Sequence, residues 1–297
     1  MHRAPLARRR IIGQALREAR QDLGLDLHAV ARYLDCDPSR VCRIEDGERG
    51  IQPAELHDLM TQYGIAPDAQ DVLVALVTSG DSRGWWVAHS AVLPASQLDF
   101  AVTEAVATRV QVYAPVIVPE LLRTEAYARA VLSADPSMPE RDEEALVQAL
   151  LARQHAVLHE QKLPTTVILG EAALRHQAGG KEAHILQLDR LNELASTDYP
   201  HVCIRLLPYN SEMYPAGESG GFSLIRFLQR PALGLVHLAG PHGGTCLHDP
   251  EAITAYGTVF DQLQVFPLTQ SQTRQRLAAL MAHPLPLRTS VARRDYG

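Results

Sequence analysis

The stretch DCDPSRVCRIEDGERG, residues 35–50, sets two thiols, Cys36 and Cys42, among Arg40, Arg43, Arg49 and a knot of acids. Paired thiols can hold a metal or cycle between redox states. Arginines three apart on a helix can instead grip phosphates or guanine edges. A zinc site would need a second cysteine pair or histidines close by, and the stretch supplies neither. Cys36 takes an apolar position just before a helix cap, where free cysteine packs as a small hydrophobe. The arginines are therefore the stronger candidates for chemistry.

Two histidine groups follow further along. In ARQHAVLHEQ, His155 and His159 stand one helical turn apart, a workable metal spacing. A zinc protease would place glutamate directly after the first histidine, and Ala156 is there. HLAGPHGGTCLHD gathers His237, His242, Cys246 and His248, the densest ligand-capable group in the chain. It lacks a CxxC or HxH pair, so a turn lined with histidines is expected rather than a metal centre. The glycine-rich YPAGESGGF and AGPHGG match neither a dinucleotide fingerprint nor a phosphate loop, and GES lacks the flanks of a nucleophile elbow. Glu104, Glu171 and Glu218 show no carboxylate partnership along the sequence. The expectation is a protein without catalysis and without a cofactor.

The elements that would position the arginines read as short helices over residues 11–80. Ile12, Ala15, Leu16, Ala19 and Leu23 recur at helical spacing, and Gly24 supplies a stop. Leu27, Val30, Ala31 and Leu34 form a second amphipathic segment. Asp37 before Pro38 is an N-cap followed by proline at the first helical position, opening a third helix that ends at Gly47. Pro53 and Pro67 open a fourth and a fifth. On the third helix Val41 and Ile44 share one side, leaving Ser39 and Arg43 on the other with Arg40 and Cys42 flanking. Helix, short turn and helix over residues 25–47 is the spacing of a helix-turn-helix, whose second helix enters the major groove. The basic run Arg8, Arg9 and Arg10 precedes the first helix and is a candidate arm on the phosphate backbone.

SGDSRGWW, residues 79–86, breaks the helical texture and marks a boundary. Beyond it, TRVQVYAPVIVP, TTVILG, HVCIRLLP, GFSLIRF and LGLVHLAG are strand-like runs closed by glycine or proline. Helical stretches lie between them, at roughly 119–133, 140–161, 182–197, 250–265 and 270–282. The expected architecture is multi-domain: an all-α five-helix head over 1–80, an α/β or α+β body over 81–283, and a tail over 284–297.

Composition sets the context. The 297 residues are 46% hydrophobic and 21% charged, ordinary for globular chains. Four cysteines do not make a disulfide framework, and the basic N-terminal segment has no apolar core of signal-peptide length. No apolar run is long enough to span a bilayer. A cytoplasmic protein with no membrane partner is expected. The net charge of −6 is uneven: residues 1–50 hold ten Lys or Arg against eight Asp or Glu, the remainder eighteen against twenty-six. An acidic body with a slightly basic head suits a polyanion at one end.

The segments LREARQDLGLD and VARYLDCDPSRVCRIEDG resemble the XRE-type, lambda-repressor-like helix-turn-helix. That resemblance implies a structural clamp between Arg20 and Glu45, and base readers at Pro38, Ser39 and Arg43 with Arg40 beside them and Arg49 just beyond. Leu27 stands where the pattern usually has a phosphate-contacting glutamine. The second half resembles the uncharacterised C-terminal domain that follows such units in many actinobacterial regulators. FAVTEAVATRVQVYAPVIVPELLRTEAYARAVL, VILGEAALRHQAGG, VCIRLLPYN and GGFSLIRF carry that similarity. Glu120, Arg123 and Ala239 depart from its usual glycine, glutamine and glutamate.

What the resemblance implies is a transcriptional regulator, often paired with a small partner protein in an antitoxin-like arrangement. The expected partners are a double-stranded DNA operator and a second copy of the chain, since one such head buries too little surface for tight operator binding. A small effector or partner protein would use the body, where Trp85, Trp86, Tyr113, Tyr209, Tyr214 and Phe222 are candidates for a pocket. Two alternatives remain: an antitoxin-type module that mainly holds a small partner protein, and an enzyme or metal site in the body.

Overall fold

The computed structural model describes residues 6–78, 84–135, 142–212, 214, 216, 220–227, 230–240 and 243–283. The boundary residues 79–83, the tail 284–297 and His242 lie outside the described residues.

The head is five helices: α1 (Leu6–Asp22), α2 (Leu27–Tyr33), α3 (Pro38–Glu45), α4 (Pro53–Gln62) and α5 (Pro67–Thr78). Local sequence sets their ends. Asp26 caps α2 by accepting from the Ala29 amide at 2.7 Å, and Asp37 caps α3 by accepting from the Ser39 amide at 2.8 Å. The turn between them puts Asp35 at φ 48°, a left-handed conformation that aspartate tolerates better than most side chains. Glycine lets α1 and α3 touch. A Cβ on Gly13 would lie 2.4 Å from the Ile44 carbonyl oxygen, and one on Gly47 would lie 2.7 Å from Arg10 Cγ. Ile11, Leu16, Val30, Ile44, Leu56 and Met60 fill the space between the helices.

One expectation is corrected here. Residues 8–10 are not an arm ahead of the first helix, because α1 starts at Leu6 and includes them. Arg8 is buried, and its Nη1 donates to the Leu76 carbonyl near the end of α5 at 3.4 Å. Arg10 stays exposed.

Two helices follow, α6 (Trp85–Ala88) and α7 (Ala95–Glu104), and then the sheet begins. Its strands are β1 (Arg109–Ala114), β2 (Thr165–Gly170), β3 (Val202–Leu207), β4 (Phe222–Phe227), β5 (Arg230–Leu238) and β6 (Thr245–Leu247). They lie in the order β3-β2-β1-β4-β5-β6. The first three are parallel, and β4, β5 and β6 join antiparallel. The helices are α8 (Glu125–Ser133), α9 (Glu143–Gln154), α10 (Gly180–Leu194), α11 (Pro250–Leu263) and α12 (Gln270–Ala282). This is a multi-domain chain, a helical head followed by a mixed six-stranded sheet with helices.

Strand alternation sorts the side chains onto two faces. Val112, Val167 and Ile204 pack on one face with residues of α8, α10 and α12; Tyr113, Ile168 and Leu224 pack on the other against Ile253 and Phe260 of α11. Arg205 of β3 ties down the α11–α12 connection by donating to the carbonyls of Gln264, Pro267 and Leu268 at 2.8, 2.8 and 3.1 Å. Helix α1 packs on α3 and also on α7 and β5, so the apolar core runs from head to body.

Two boundaries differ from expectation. The run 108–119 is strand only to Ala114, because Pro115 ends it and a single 3-10 turn follows at Glu120–Leu122. The stretch expected as one helix over 140–161 is α9 followed by a wider π turn, His155–Glu160.

Candidate nucleic-acid interface

Helix α3 presents two faces with different work. Val41, Ile44 and Glu45 are buried against the head, and Ser39 and Arg43 are exposed on the opposite side. Pro38 is half-buried at the helix start, and Arg49 is exposed just past its end, where its amide donates to the Arg43 carbonyl at 2.9 Å. Arg40 is turned onto α4, where its Nη2 pairs with Glu55, a residue that also helps cap that helix.

The face is set from behind by a cluster of charges. Glu45, only 3% exposed at its side chain, accepts from Arg20 Nε at 2.7 Å and from Arg20 Nη2 at 2.9 Å. The same guanidinium donates through Nη1 to the Leu25 carbonyl at 2.7 Å, tying the α1–α2 turn to α3. Arg17 joins from one turn earlier, reaching Glu45 at 3.4 Å and pairing with Asp46. The hydrogen bond from Arg20 to Glu45 outweighs burial and raises the arginine's pKa, and the one from Arg17 holds Asp46 below the usual carboxylate range. Burial likewise pushes the Tyr63 hydroxyl pKa up. Fork-to-fork geometry of this kind is directional as well as strong, so it fixes the roll of α3.

In front of that cluster lies an open groove of about 740 Å³ between the start of α2 and the outer face of α3. Asp26, His28, Ser39, Arg43, Asp46 and Glu48 line it together with Arg20, Leu27, Pro38 and Cys42. Cys42 donates its thiol to Asp46 at 3.3 Å, whereas Cys36 packs half-buried on the head core, so the two do not form a pair. Arg17, Glu55 and His28 belong to this surface and were missed in the sequence. The spacing of Arg17 three before Arg20 was the available signal for the first. No local signal marks Glu55, which reaches Arg40 from the next helix.

The candidate pocket residues of the body fall into three separate places, and only Tyr113, Tyr214 and Phe222 come together. Trp85 and Trp86 pack edge to face with Leu93, Leu98 and Val102. Tyr113, Tyr214 and Phe222 lie under α11, where the two tyrosine hydroxyls are 3.2 Å apart. Tyr209 is 63% exposed, and the Arg175 guanidinium lies 5.4 Å from its ring centre. Tyr113 and Phe222, cross-strand partners on one face of the sheet, join the core under α11, and the tryptophans join the packing of α6 with α7.

His237 and Cys246 are cross-strand partners on β5 and β6, yet each is engaged elsewhere. His237 Nε2 is 2.8 Å from the Gly243 carbonyl oxygen, and Cys246 donates to the Ser96 carbonyl at 3.3 Å. Burial, with Arg10 nearby, lowers the His248 pKa to about 4. His155 and His159 are exposed with rings 5.5 Å apart. Among the described residues no group of three His, Cys, Asp or Glu is placed to hold a metal ion.

Glu104 and Glu171, unpartnered along the sequence, are both engaged. Arg153 donates to both oxygens of buried Glu104 at 2.8 and 2.9 Å and to Glu120 at 3.0 Å. Burial alone would raise the Glu171 pKa, but Arg276, Arg175 and the Tyr209 amide together bring it down to about 2.

Comparison with known families agrees with the two-part architecture. Residues 11–73 match a helix-turn-helix domain, which supports a DNA-binding regulator. Residues 97–279 match a domain of unknown function (DUF5753), and the chain belongs to that family. No curated protein and no solved structure matches the chain. Among the described residues no helix is long and apolar enough to cross a membrane.

Proposed function

We propose that the chain is a sequence-specific transcriptional regulator of the XRE, antitoxin-like kind, reading operator DNA with the outer face of α3. The observation that carries this is the reading face itself: Ser39 and Arg43 stand exposed beside the groove while Glu45, on the same helix, is clamped by Arg20 and Arg17. A fixed helix with a small hydroxyl and an exposed guanidinium meets what major-groove readout requires. In this reading Arg43 contacts a base, Arg49 a phosphate, and Arg40 exchanges Glu55 for DNA on binding. The half-buried Leu27 supplies no phosphate contact.

Two copies would bind symmetric half-sites, since a single head covers few base pairs. The body would act without catalysis, as an effector-sensing or partner-docking module, and the protein would work in the cytoplasm beside its operator.

A gel-shift assay tests the reading. The Arg40→Ala/Arg43→Ala double variant should lose sequence-selective retention while keeping its unfolding midpoint. Selective retention equal to that of the parent protein would remove α3 as the reader.

A further inference from the structure

The turn between β1 and α8 is held by an unusual number of buried polar groups for a connection. Gln154 donates to the carbonyls of Glu120 and Arg123 at 2.7 and 2.8 Å. Gln187 donates to the Leu122 carbonyl and accepts from the Thr124 amide, both at 2.8 Å. The Val118 amide donates to the buried Tyr127 hydroxyl at 3.3 Å. Both glutamines are buried. Groups held this way keep a side chain in place before any ligand arrives.

The side chain so held is Arg123. Its Nε donates to the Val118 carbonyl at 2.8 Å, while Nη1 and Nη2 donate to no group among the described residues. Arg123 as a whole is half-buried. A guanidinium offers five donors, and here the outer edge is idle. Glu104 and Glu120 are both bonded to Arg153. Burial lowers the Arg123 pKa, with Arg153 adding to the effect and Glu120 and Tyr127 opposing it. Glu120 is near enough to favour the charge but is not hydrogen-bonded to it, and a buried charge gains further from an anion bonded to it directly.

The surroundings indicate what that is. Val116 and Ile117, 54% and 40% exposed, belong to the same loop whose Val118 carbonyl orients Arg123. The loop leaves the C-terminal end of β1, the strand at which the sheet changes from parallel to antiparallel pairing. We propose that Arg123 anchors a site for a small carboxylate bearing an aliphatic chain, the carboxylate on the Nη1–Nη2 edge and the chain against Val116 and Ile117. Glu120 opposes an incoming anion, and its ion pair with Arg153 mutes that opposition.

The site stands apart from the DNA-reading face and is tested without DNA. The full chain is titrated by calorimetry with 3-methylbutanoate and, separately, with the matched neutral 3-methylbutanamide. The acid should bind at the millimolar level or better and the amide should not. Arg123→Gln should weaken acid binding on the order of tenfold or more with the unfolding midpoint retained. Val116→Asp, at an exposed position, should block binding by setting its own carboxylate against the arginine. Equal binding of acid and amide, unchanged binding by either folded variant, or no heat from the acid at millimolar concentration overturns the proposal. Because no DNA is present, such a failure leaves operator binding untouched, and a failed gel shift leaves this site untouched.

Discussion

The head and the body each bury a glutamate under an arginine fork, but the two forks face different tasks. In the head, Arg20 and Glu45 stand 25 residues apart, and the glutamate sits on the helix that carries Ser39 and Arg43 outward. In the body, Arg153 and Glu104 stand 49 residues apart, and the pair lies behind a turn. The first sets the roll of α3 and its exposed face; the second stiffens a platform. The same chemistry thus serves orientation in one place and support in the other, and only the residues on the far side of each fork tell them apart.

The comparison breaks first at Glu45. Glu45→Ala should destabilise the head by about 3–5 kcal/mol, because it leaves the buried side of Arg20 without its partner. Denaturant unfolding would show it, and an unchanged midpoint would mean that the fork does not hold the helix. Arg43→Ala should do the reverse. It should weaken operator binding by about 1–3 kcal/mol and relax one base preference, with stability unaltered. Quantitative gel shifts on single-base operator variants measure both effects.

Glu171 sharpens the body's side of the contrast. Its pKa is about 2 in the folded protein, well below the ordinary carboxylate value of 4.5, so its contribution is present above that ordinary value. It is lost as the pH falls towards 2. Arg175 and Arg276 are partly solvated, so the screened contribution is roughly 1–2 kcal/mol. Glu171→Gln should lower stability by that amount at neutral pH. The gap from the parent protein should close in acid, and a gap independent of pH would contradict the ion-pair origin. The smallest effect is expected at Asp35, held at φ 48°. Asp35→Gly should be neutral or should stabilise the head by about 0.5 kcal/mol, readable as a small rise in thermal midpoint.

Legibility in the sequence followed the range of the interaction. Asp26, Asp37, Pro38, Pro53 and Pro67 act on their own helices, so the head's elements could be read directly. The start of α1 could not, because Arg8 is buried through a carbonyl 68 residues away on α5. In the body the strand runs were visible as apolar stretches, yet Val116 and Ile117 looked like more strand, and three-residue β6 was too short to register. Glu104 is closed by Arg153, 49 residues on, and Glu171 in part by Arg276, 105 residues on, distances over which spacing carries no signal; only the pair of Glu171 with Arg175, four residues on, lay within reach of spacing. The two-faced character of α3 was legible because one short helix carries Ser39, Arg43 and Glu45. Its Arg40–Glu55 pairing was not, since that needed the packing of α4.

Helix α1, touched by α3 through Gly13 and covered also by α7 and β5, has a practical consequence for anyone dissecting the protein. A fragment ending near residue 78 would strip α7 and β5 from α1 and leave that part of the helix wet. Such a fragment should be sticky and less cooperative than its five helices suggest, so the cut that looks natural from the linker falls through a shared wall.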